Sequence, residues 1–298
     1  MTVCFLGLGV MGGGMAGRFL DAGMTLAVWN RHREKAEPLA ARGARVATSP
    51  RDAATGADFV VAMVSDDNAS RSVWLDADGA LAGMKRGTVA IESSTLSPAW
   101  IDELSAAVAK AGGTLLDAPV TGSKTQAASG ELCFLVGGPA AALEKARPAL
   151  AAMSRAVVHL GPTGSGALLK LINNFVCGVQ VASLAEALAL IENGGLNRDQ
   201  AIEVLKTGAP GSPLFRTIAD RMTARDYTPN FLLRLLAKDL GYAINEGAHR
   251  SLKLTTAASA LELFKQAIAA GYGDKDMSAV FEQVRSDGRP NEGQSLHL

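Results

Sequence analysis

The sequence predicts an α/β domain over residues 1–163, followed by an all-helical domain over residues 164–298. Over the first ~160 residues, short runs of β-forming residues alternate with helical patterns, which is typical of a parallel sheet with crossover helices. After Gly164 the apolar spacing becomes helical, over 165–193, 197–207, 212–223, 230–247 and 252–271. No Pro- or Ser-rich linker separates the two patterns, so the helix over about 165–193 is also predicted to join the domains.

The first domain contains six segments that predict strands and three that predict helices. Ser97-Pro98 is a favourable start for one helix, and Gly112-Gly113 is a favourable stop. The strands are predicted at "TVCFLGLG", "TLAVWNR", "ADFVVAMVSD", "GTVAIESST", "GGTLLDAPVTGS" and "ELCFLVGG", and the helices at "VMGGGMAGRFLDAG", "REKAEPLAARG" and "SPAWIDELSAAVAKAGG".

Composition favours a cytoplasmic globular protein. The chain has 298 residues, 48% of them hydrophobic and 19% charged, and its 29 Lys and Arg balance its 29 Asp and Glu. We therefore expect neither nucleic acid nor a membrane surface as a partner. The longest apolar segment, about 175–191, is shorter than the ~20 residues of a membrane span, and no charged leader precedes the first strand. The last residues, "PNEGQSLHL", are predicted to be a loose tail.

The cysteines and histidines predict no metal site. Cys4, Cys133 and Cys177 are widely spaced among apolar neighbours, as reduced core cysteines are. The histidines share no spacing that suggests a metal or a serine triad; they are His32, His159, His249 and His297.

A glycine-rich turn after the first strand predicts a dinucleotide site. Gly7, Gly9 and Gly12 form GxGxxG between a predicted strand and a predicted helix. The spacing suits a tight turn, close approach of a pyrophosphate and close helix–strand packing, with a helix N-terminus to receive the anion. The first domain is therefore predicted to be of the Rossmann type, with cofactor contacts from Gly7, Leu8, Gly9, Val10, Met11 and Gly12.

The end of the second predicted strand favours NADP over NAD. NAD-binding folds usually place an acidic residue there to bond the ribose hydroxyls. Here the strand ends in Asn30 and Arg31, with Arg33 close behind, and a guanidinium suits a 2′-phosphate. Asn30 and Arg31 are therefore predicted to contact NADP, with NAD as the weaker alternative. A solvated charge at a helix start is the other interpretation of Arg31.

The residues around Lys170 are conspicuous because a cation lies within an apolar helical pattern, "GALLKLINNFV". Lys170, Asn173 and Asn174 share a helix face by their spacing. Gly164 and Gly166 would let the helix start approach the first domain closely. From these residues alone, Lys170 could instead reach solvent or pair with a buried carboxylate such as Glu186.

Six motifs along the chain are distinctive: "FLGLGVMGGGMAGRFL", "ESSTLSP", "DAPVTGSKTQAASGEL", "GSGALLKLINNF", "LLAKDLGYA" and "GYGDKDMSAV". Together they resemble the β-hydroxyacid dehydrogenase family, which includes 3-hydroxyisobutyrate dehydrogenase, tartronate semialdehyde reductase and glyoxylate/succinic semialdehyde reductase. The similarity covers nearly the whole chain, and "GSK" at 122–124 is similar to the glyoxylate/succinic semialdehyde reductase branch. Thr121 stands where serine is usual, which keeps the hydroxyl and adds a methyl group.

The resemblance implies a reductase with Lys170 as the general acid. Hydride would pass from the nicotinamide to a carbonyl carbon while the ammonium protonates the developing alkoxide, and Asn174 would orient the lysine or the substrate oxygen. Partial desolvation and an oxidised nicotinamide nearby would lower the lysine pKa from ~10.4 toward the working pH.

The resemblance also assigns the remaining contacts. Thr121, Gly122 and Ser123 would hold the substrate carboxylate, and Thr95 would lie beside nicotinamide and substrate. Met63, Val64 and Ser65 would line the adenosine-ribose side, although plain strand-end packing is an equal alternative. From the helical domain, Phe231 and Asp239 would close over the substrate and Lys238 over the cofactor, whereas an exposed helix pair is the other interpretation of Lys238-Asp239.

These implications favour an NADP-dependent reductase of small carboxylate-bearing aldehydes such as glyoxylate and succinic semialdehyde. A 3-hydroxyisobutyrate or tartronate semialdehyde dehydrogenase is the next hypothesis. An imine reductase or a non-catalytic dinucleotide-binding protein is disfavoured, because such relatives lack the lysine. The resemblance further implies a homodimer or homotetramer.

Overall fold

The computed structural model describes residues 1–287, so the predicted loose tail lies outside the described residues. The chain divides into two compact units, Met1–Leu171 and a second unit that begins at Ile172. The division falls inside a helix, whereas the sequence places the domain boundary before that helix, at 163/164.

The first unit is built on a nine-stranded sheet in the order β3-β2-β1-β4-β5-β6-β8-β7, with β9 pairing β8. The pairings from β3 to β6 are parallel; β6–β8 and β7–β8 are antiparallel, and β8–β9 is parallel. This is the predicted α/β Rossmann-type architecture, with ligand-binding edges expected where the strand order reverses, beside β1 and β4. The strands are β1 Thr2–Leu6, β2 Thr25–Trp29, β3 Arg45–Val46, β4 Phe59–Ala62, β5 Val89–Glu92, β6 Thr114–Asp117, β7 Val120–Thr121, β8 Leu132–Gly137 and β9 Ser154–Gly161.

Seven helices begin and end within this unit. Ser97 caps α5 by accepting the Trp100 N–H, as the Ser-Pro signal predicted. The helices are α1 Gly12–Asp21, α2 Glu37–Ala40, α3 Pro50–Ala54, α4 Asp67–Leu75, α5 Pro98–Lys110, α6 Lys124–Ser129 and α7 Ala140–Ala151.

Both faces of the sheet are buried, which explains the continuous apolar runs of the central strands. Along β1, Val3 and Phe5 belong to one apolar cluster, and Cys4 and Leu6 belong to another. Such alternation is the period-two geometry of a strand that carries a core on each side. Burial raises the pKa of the Cys4 thiol, whereas Cys133 and Cys177 are half-buried, and all three cysteines are free thiols.

Two strands, β3 and β9, and four helices, α3, α4, α6 and α7, were not predicted from the sequence, and one predicted helix differs from its prediction. β9 carries polar and half-exposed positions, so its pattern lacks the apolar run that marked the other strands. The predicted helix over 33–43 is a 3-10 turn, Arg33–Ala36, followed by the four-residue α2. Pro38 accounts for the change from 3-10 to α geometry, because it has no N–H to bond the Glu34 carbonyl oxygen, which accepts the Glu37 N–H instead.

The second unit is helical, as predicted, and its described part contains a single isolated bridge, between Leu232 and Asp276. Its apolar core includes Val181, Phe215, Leu236 and Phe264. The helices are α8 Ser165–Asn193, which starts in the first unit, α9 Arg198–Thr207, α10 Pro213–Ala224, α11 Leu233–His249, α12 Thr255–Ala267 and α13 Val280–Asp287; Ile268–Tyr272 forms a wide turn after α12.

Helix α8 has 29 residues and is, within the described chain, the one helix long and apolar enough to cross a membrane by length and composition. The expectation that the apolar segment is too short therefore does not hold for the helix as a whole. Half of the tested window is buried inside the protein, and a buried core helix meets the same criteria. Its first two turns belong to the first unit because Ala167 packs in an apolar cluster there.

A fully buried carboxyl ends strand β5. Glu92 Oε2 accepts hydrogen bonds from Ser70 Oγ at 2.7 Å and from Trp74 Nε1 at 2.8 Å, and Oε1 accepts the Ser94 N–H at 3.0 Å. These donors are neutral. Burial therefore outweighs them and raises the pKa of Glu92 above its usual range.

Glu92→Gln should change the pH dependence of stability. A raised folded-state pKa means that the native state binds the proton of Glu92 more tightly than the unfolded state does. Protonation of Glu92 therefore stabilises the fold at low pH, and this contribution is lost as pH rises above the unfolded-state pKa of about 4.3. The stability of wild type relative to Glu92→Gln should thus fall as pH rises and then level off. Thermal unfolding midpoints of both proteins from about pH 4 to about pH 8 measure this.

Glu103→Gln is the control for sign. Arg71 lowers the pKa of the exposed Glu103 through a hydrogen bond, so the corresponding stability difference should grow rather than shrink with rising pH. If the unfolding midpoints of wild type and Glu92→Gln differ by the same amount at every pH, the pKa of Glu92 is not raised.

Candidate active site

The turn between β1 and α1 has the geometry of a dinucleotide-binding loop. Gly7 has φ +95°, and a Cβ there would overlap the Met63 carbonyl oxygen; a Cβ on Gly12 would overlap the Gly7 carbonyl oxygen. At Gly9, by contrast, a Cβ would meet no atom within 4 Å. Gly7 and Gly12 therefore let the turn close on itself, while Gly9 faces open space.

The start of α1 offers N–H groups to an anion. Among the described residues no side chain caps this helix end at Met11, while Leu8 is buried and Val10 is 54% exposed. Uncapped N–H groups and the positive end of the helix dipole suit a pyrophosphate. The residues of the turn thus fit a nicotinamide dinucleotide.

Asn30 fixes this turn. Its Oδ1 accepts the Leu8 N–H at 2.8 Å, and its Nδ2 donates to the His32 carbonyl oxygen at 2.8 Å. The side chain thus ties the end of β2 to the glycine turn, a contact that spacing alone did not indicate. Arg31, which follows, is exposed, as a residue that binds a phosphate from solvent must be.

The segments after β4 and β5 lie at the same edge of the sheet, because the two strands are parallel neighbours. The Val64 N–H donates to Ser94 Oγ at 2.8 Å. Ser65 Oγ donates to Asp66 Oδ2 at 2.7 Å, and Thr95 is half-buried. The structure therefore brings the Met63–Ser65 segment beside the Thr95 segment and beneath the Gly7 turn.

The predicted carboxylate-binding loop follows β7. Gly122 has φ +118° and is exposed, and Thr121 is half-buried. The Ser123 N–H and Oγ–H both donate to Gln126 Oε1, at 2.9 and 2.6 Å. Gln126 was not selected from the sequence, yet it accepts the hydrogen bonds of the Ser123 groups that the resemblance assigns to the substrate. The Ser-x-x-Gln spacing of a capping box could have indicated this role for Gln126.

Asp117 holds the start of the helix that carries Lys170. Its Oδ1 accepts the Gly164 N–H at 2.8 Å and its Oδ2 accepts the Ala167 N–H at 2.9 Å, inside the first unit. Burial raises the pKa of Asp117, and the backbone N–H bonds oppose that rise. A Cβ on Gly166 would overlap the Leu135 carbonyl oxygen, so the close approach of the helix start is confirmed.

Lys170 is half-buried in the second turn of α8. Glu186, the alternative partner that the sequence offered, is exposed, so it is no buried carboxylate. Asp117 also precedes Thr121 by four residues. One buried side chain therefore links the position of the lysine to the position of the predicted carboxylate loop, and sequence reasoning missed it because Asp117 resembled any other strand-end residue.

The second unit contains a buried polar chain. Asn174 Nδ2 donates to Asp239 Oδ2 at 2.6 Å, and Asp239 Oδ1 lies 2.9 Å from Lys238 Nζ. Asn174 and Asp239 are only 3% and 1% exposed, so the interpretation of Lys238-Asp239 as an exposed helix pair is wrong. The Lys238 ammonium also lies 4.7 Å from the centroid of the Tyr242 ring.

Phe231 is held by a second buried carboxylate of this unit. Asp276 Oδ2 accepts the N–H groups of Asn230 and Phe231 at 2.9 and 3.1 Å, and its Oδ1 lies 3.2 Å from Arg221 Nε. These bonds fix the backbone that presents Phe231, which is half-buried.

Within residues 1–287, no group of three or more His, Cys, Asp or Glu side chains is placed to hold a metal ion.

Two family profiles together match nearly the whole chain. A profile described as the NAD binding domain of 6-phosphogluconate dehydrogenase matches residues 2–161. A profile described as the NAD-binding domain of NADP-dependent 3-hydroxyisobutyrate dehydrogenase matches residues 164–284.

Individual relatives are similar over their full length. An NAD-dependent L-serine dehydrogenase from Pseudomonas aeruginosa is 38% identical, over 93% of this chain and 96% of the relative. Glyoxylate/succinic semialdehyde reductase 1 from Arabidopsis thaliana is 35% identical, over 96% and 99%. The crystal structure of a 3-hydroxyisobutyrate dehydrogenase from Salmonella typhimurium superposes with a TM-score of 0.87 at 33% identity, over 95% and 99%.

These matches agree with the geometry of the glycine turn and with the order of the two units. The protein is an oxidoreductase that acts on hydroxyl or aldehyde groups and binds a nicotinamide dinucleotide. Profiles, relatives and fold together show that the chain belongs to the β-hydroxyacid dehydrogenase family.

Proposed function

We propose that this protein is an NADP-dependent reductase of small carboxylate-bearing aldehydes, with glyoxylate and succinic semialdehyde as substrates and Lys170 as the proton donor. The observation that carries the proposal is the placement of Lys170. Lys170 is half-buried on a helix whose start is held by two hydrogen bonds to Asp117. Asp117 also lies four residues before Thr121.

The proposed chemistry needs one proton at the carbonyl oxygen. A reduced nicotinamide, when bound, would supply the hydride for the carbonyl carbon. As the C=O π electrons move to oxygen, Lys170 Nζ gives that oxygen a proton, and until the transfer is complete the ammonium charge stabilises it. The Thr121 hydroxyl and the backbone N–H of Gly122 are proposed to hold the substrate carboxylate, and Asn174, one turn after Lys170 on α8, to orient the lysine or the substrate oxygen.

NADP is proposed because Arg31 is exposed where β2 ends and Asn30, the residue before it, is neutral. A guanidinium there would attract a 2′-phosphate that an acidic residue would repel. We also propose a cytoplasmic location and a homo-oligomer; the free thiols of the three cysteines are consistent with a reducing compartment.

A second candidate function is oxidation of L-serine with NAD. It is supported by the 38% identity to the relative named NAD-dependent L-serine dehydrogenase. Both functions would use the same lysine in opposite directions, as proton donor in reduction and as base in oxidation. They differ in substrate and in cofactor.

Lys170→Ala should lower kcat by at least about 100-fold while dinucleotide binding is retained, because the variant removes the proton donor and leaves the glycine turn intact. Lys170→Arg should be nearly as slow, since arginine keeps the charge and does not release its proton. Steady-state NADPH absorbance and a separate dinucleotide titration measure the two effects. Lys265→Ala, at an exposed position of α12, is the matched control, and turnover of Lys170→Ala at the wild-type rate would refute the assignment.

Arg31→Ala should raise the KM for NADPH about tenfold or more and leave the KM for NADH nearly unchanged, because only NADPH carries the 2′-phosphate. The ratio of kcat/KM for the two cofactors in wild type and variant is the measurement. If both Michaelis constants rise equally, Arg31 does not select NADP.

A substrate panel should separate the two candidate functions. We expect glyoxylate and succinic semialdehyde reduction with NADPH to give the largest kcat/KM, above L-serine or 3-hydroxyisobutyrate oxidation with either cofactor. If L-serine with NAD gives the largest value, the second candidate replaces the first.

A further inference from the structure

A chain of buried hydrogen bonds runs from Glu92 to the backbone that follows β4. Glu92 Oε1 accepts the Ser94 N–H at 3.0 Å. Ser94 Oγ in turn accepts the Val64 N–H at 2.8 Å. Glu92 and Ser94 are 0% and 2% exposed, so one buried residue, Ser94, joins the carboxyl at the end of β5 through its N–H to the backbone after β4 through its hydroxyl.

The carboxyl itself is held from the other side by helix α4, which α5 contacts in turn. Its Oε2 accepts hydrogen bonds from Ser70 and Trp74, which belong to α4. Ser70 Oγ also accepts the Trp100 Nε1–H of α5 at 2.9 Å. Because the Glu92 carboxyl is fully buried and bonded from α4 as well, its bond to the Ser94 N–H holds the Ser94 backbone in place.

A second tie joins the same two segments nearer the surface. Asp67, which follows the Met63–Ser65 segment at the start of α4, accepts the Ser97 N–H at 3.0 Å and the Ser97 Oγ–H at 2.6 Å. Ser97 caps α5. The backbone after β4 and the backbone after β5 are thus connected once in the core and once near the surface.

We propose that Ser94, held by Glu92, is a positioning residue that fixes the Met63–Ser65 segment in its dinucleotide-binding position. This inference rests on the proposed function and on the expectation from the family resemblance that this segment lines the cofactor site. The Met63 carbonyl lies directly beneath Gly7, so a shift of the segment would also disturb the glycine turn. Pre-organised backbone lowers the cost of binding, and its loss should appear as weaker affinity rather than slower chemistry.

Ser94→Ala tests the proposal, with Thr88→Val as the matched control. Thr88 lies just before β5, at the opposite end of the strand, and its buried Oγ1 donates to the Ala57 carbonyl oxygen at 3.0 Å. Each variant therefore removes one buried hydrogen bond, but only Ser94→Ala frees the Val64 N–H. Ser94→Cys keeps a weaker hydrogen-bonding group of similar size and replaces Ser94→Ala if the latter does not fold.

We expect Ser94→Ala to raise the Kd and the KM for NADPH about tenfold with kcat at saturating NADPH changed less than about twofold, since one buried hydrogen bond is worth roughly this factor. Ser94→Cys should give a smaller increase. Thr88→Val should lower the thermal midpoint to a similar extent and leave the Kd at the wild-type value. Titration of purified enzyme with NADPH, steady-state kinetics and thermal unfolding supply the three readouts.

Two results would overturn the proposal. If Ser94→Ala binds NADPH as wild type does, or if both variants weaken binding equally, the network supports only the fold. The wild-type titration is read first: if wild type binds neither NADPH nor NADH, the proposed function fails together with this inference. If wild type binds and only the Ser94 comparison fails, the proposed function stands.

Discussion

The structure of the first unit depends on two buried carboxyls at the ends of neighbouring strands. Glu92 and Asp117 are register partners in the parallel pair β5–β6, so their side chains leave the sheet on the same face. Burial raises the pKa of both, and neutral O–H and N–H donors offset part of that cost. Satisfying these carboxyls obliges the surrounding loops and helices to adopt one arrangement, because a buried acceptor left without donors costs more than the bond it loses.

Each carboxyl organises a different part of the proposed site. Glu92 acts through Ser94 on the backbone that follows β4, and Asp117 acts on the N-terminal turn of α8. Asn30 has the same function at the glycine turn, where it holds the Leu8 N–H. The polar side chains nearest the proposed ligands are thus largely engaged by the protein itself. What is left for the dinucleotide at the glycine turn is backbone N–H at the start of α1, the open side of Gly9 and the exposed Arg31.

The second unit also contains buried carboxyls that bond neighbouring groups. Asp239 joins Asn174 of α8 to Lys238 of α11, and Asp276 gathers the loop that presents Phe231. In both units buried carboxylates define the backbone, and the cationic side chains remain half-buried or exposed. Such a division suits a family whose members share hydride chemistry and differ in substrate, since the scaffold can stay constant while the contacting side chains change.

The sequence by itself determined the order of the two units, the glycine turn, the long helix over 165–193 and the lysine within it. These follow from local spacing and composition, which need no knowledge of distant residues. Only the tertiary structure decided the roles of Asn30, Asp117 and Glu92, whose partners include backbone or side-chain groups up to 50 residues away in sequence. It also showed that Asp239 is buried rather than exposed, and that the helix predicted over 33–43 is a 3-10 turn followed by a four-residue helix. Burial and long-range hydrogen bonds depend on which segments pack together, and a one-dimensional pattern does not contain that information.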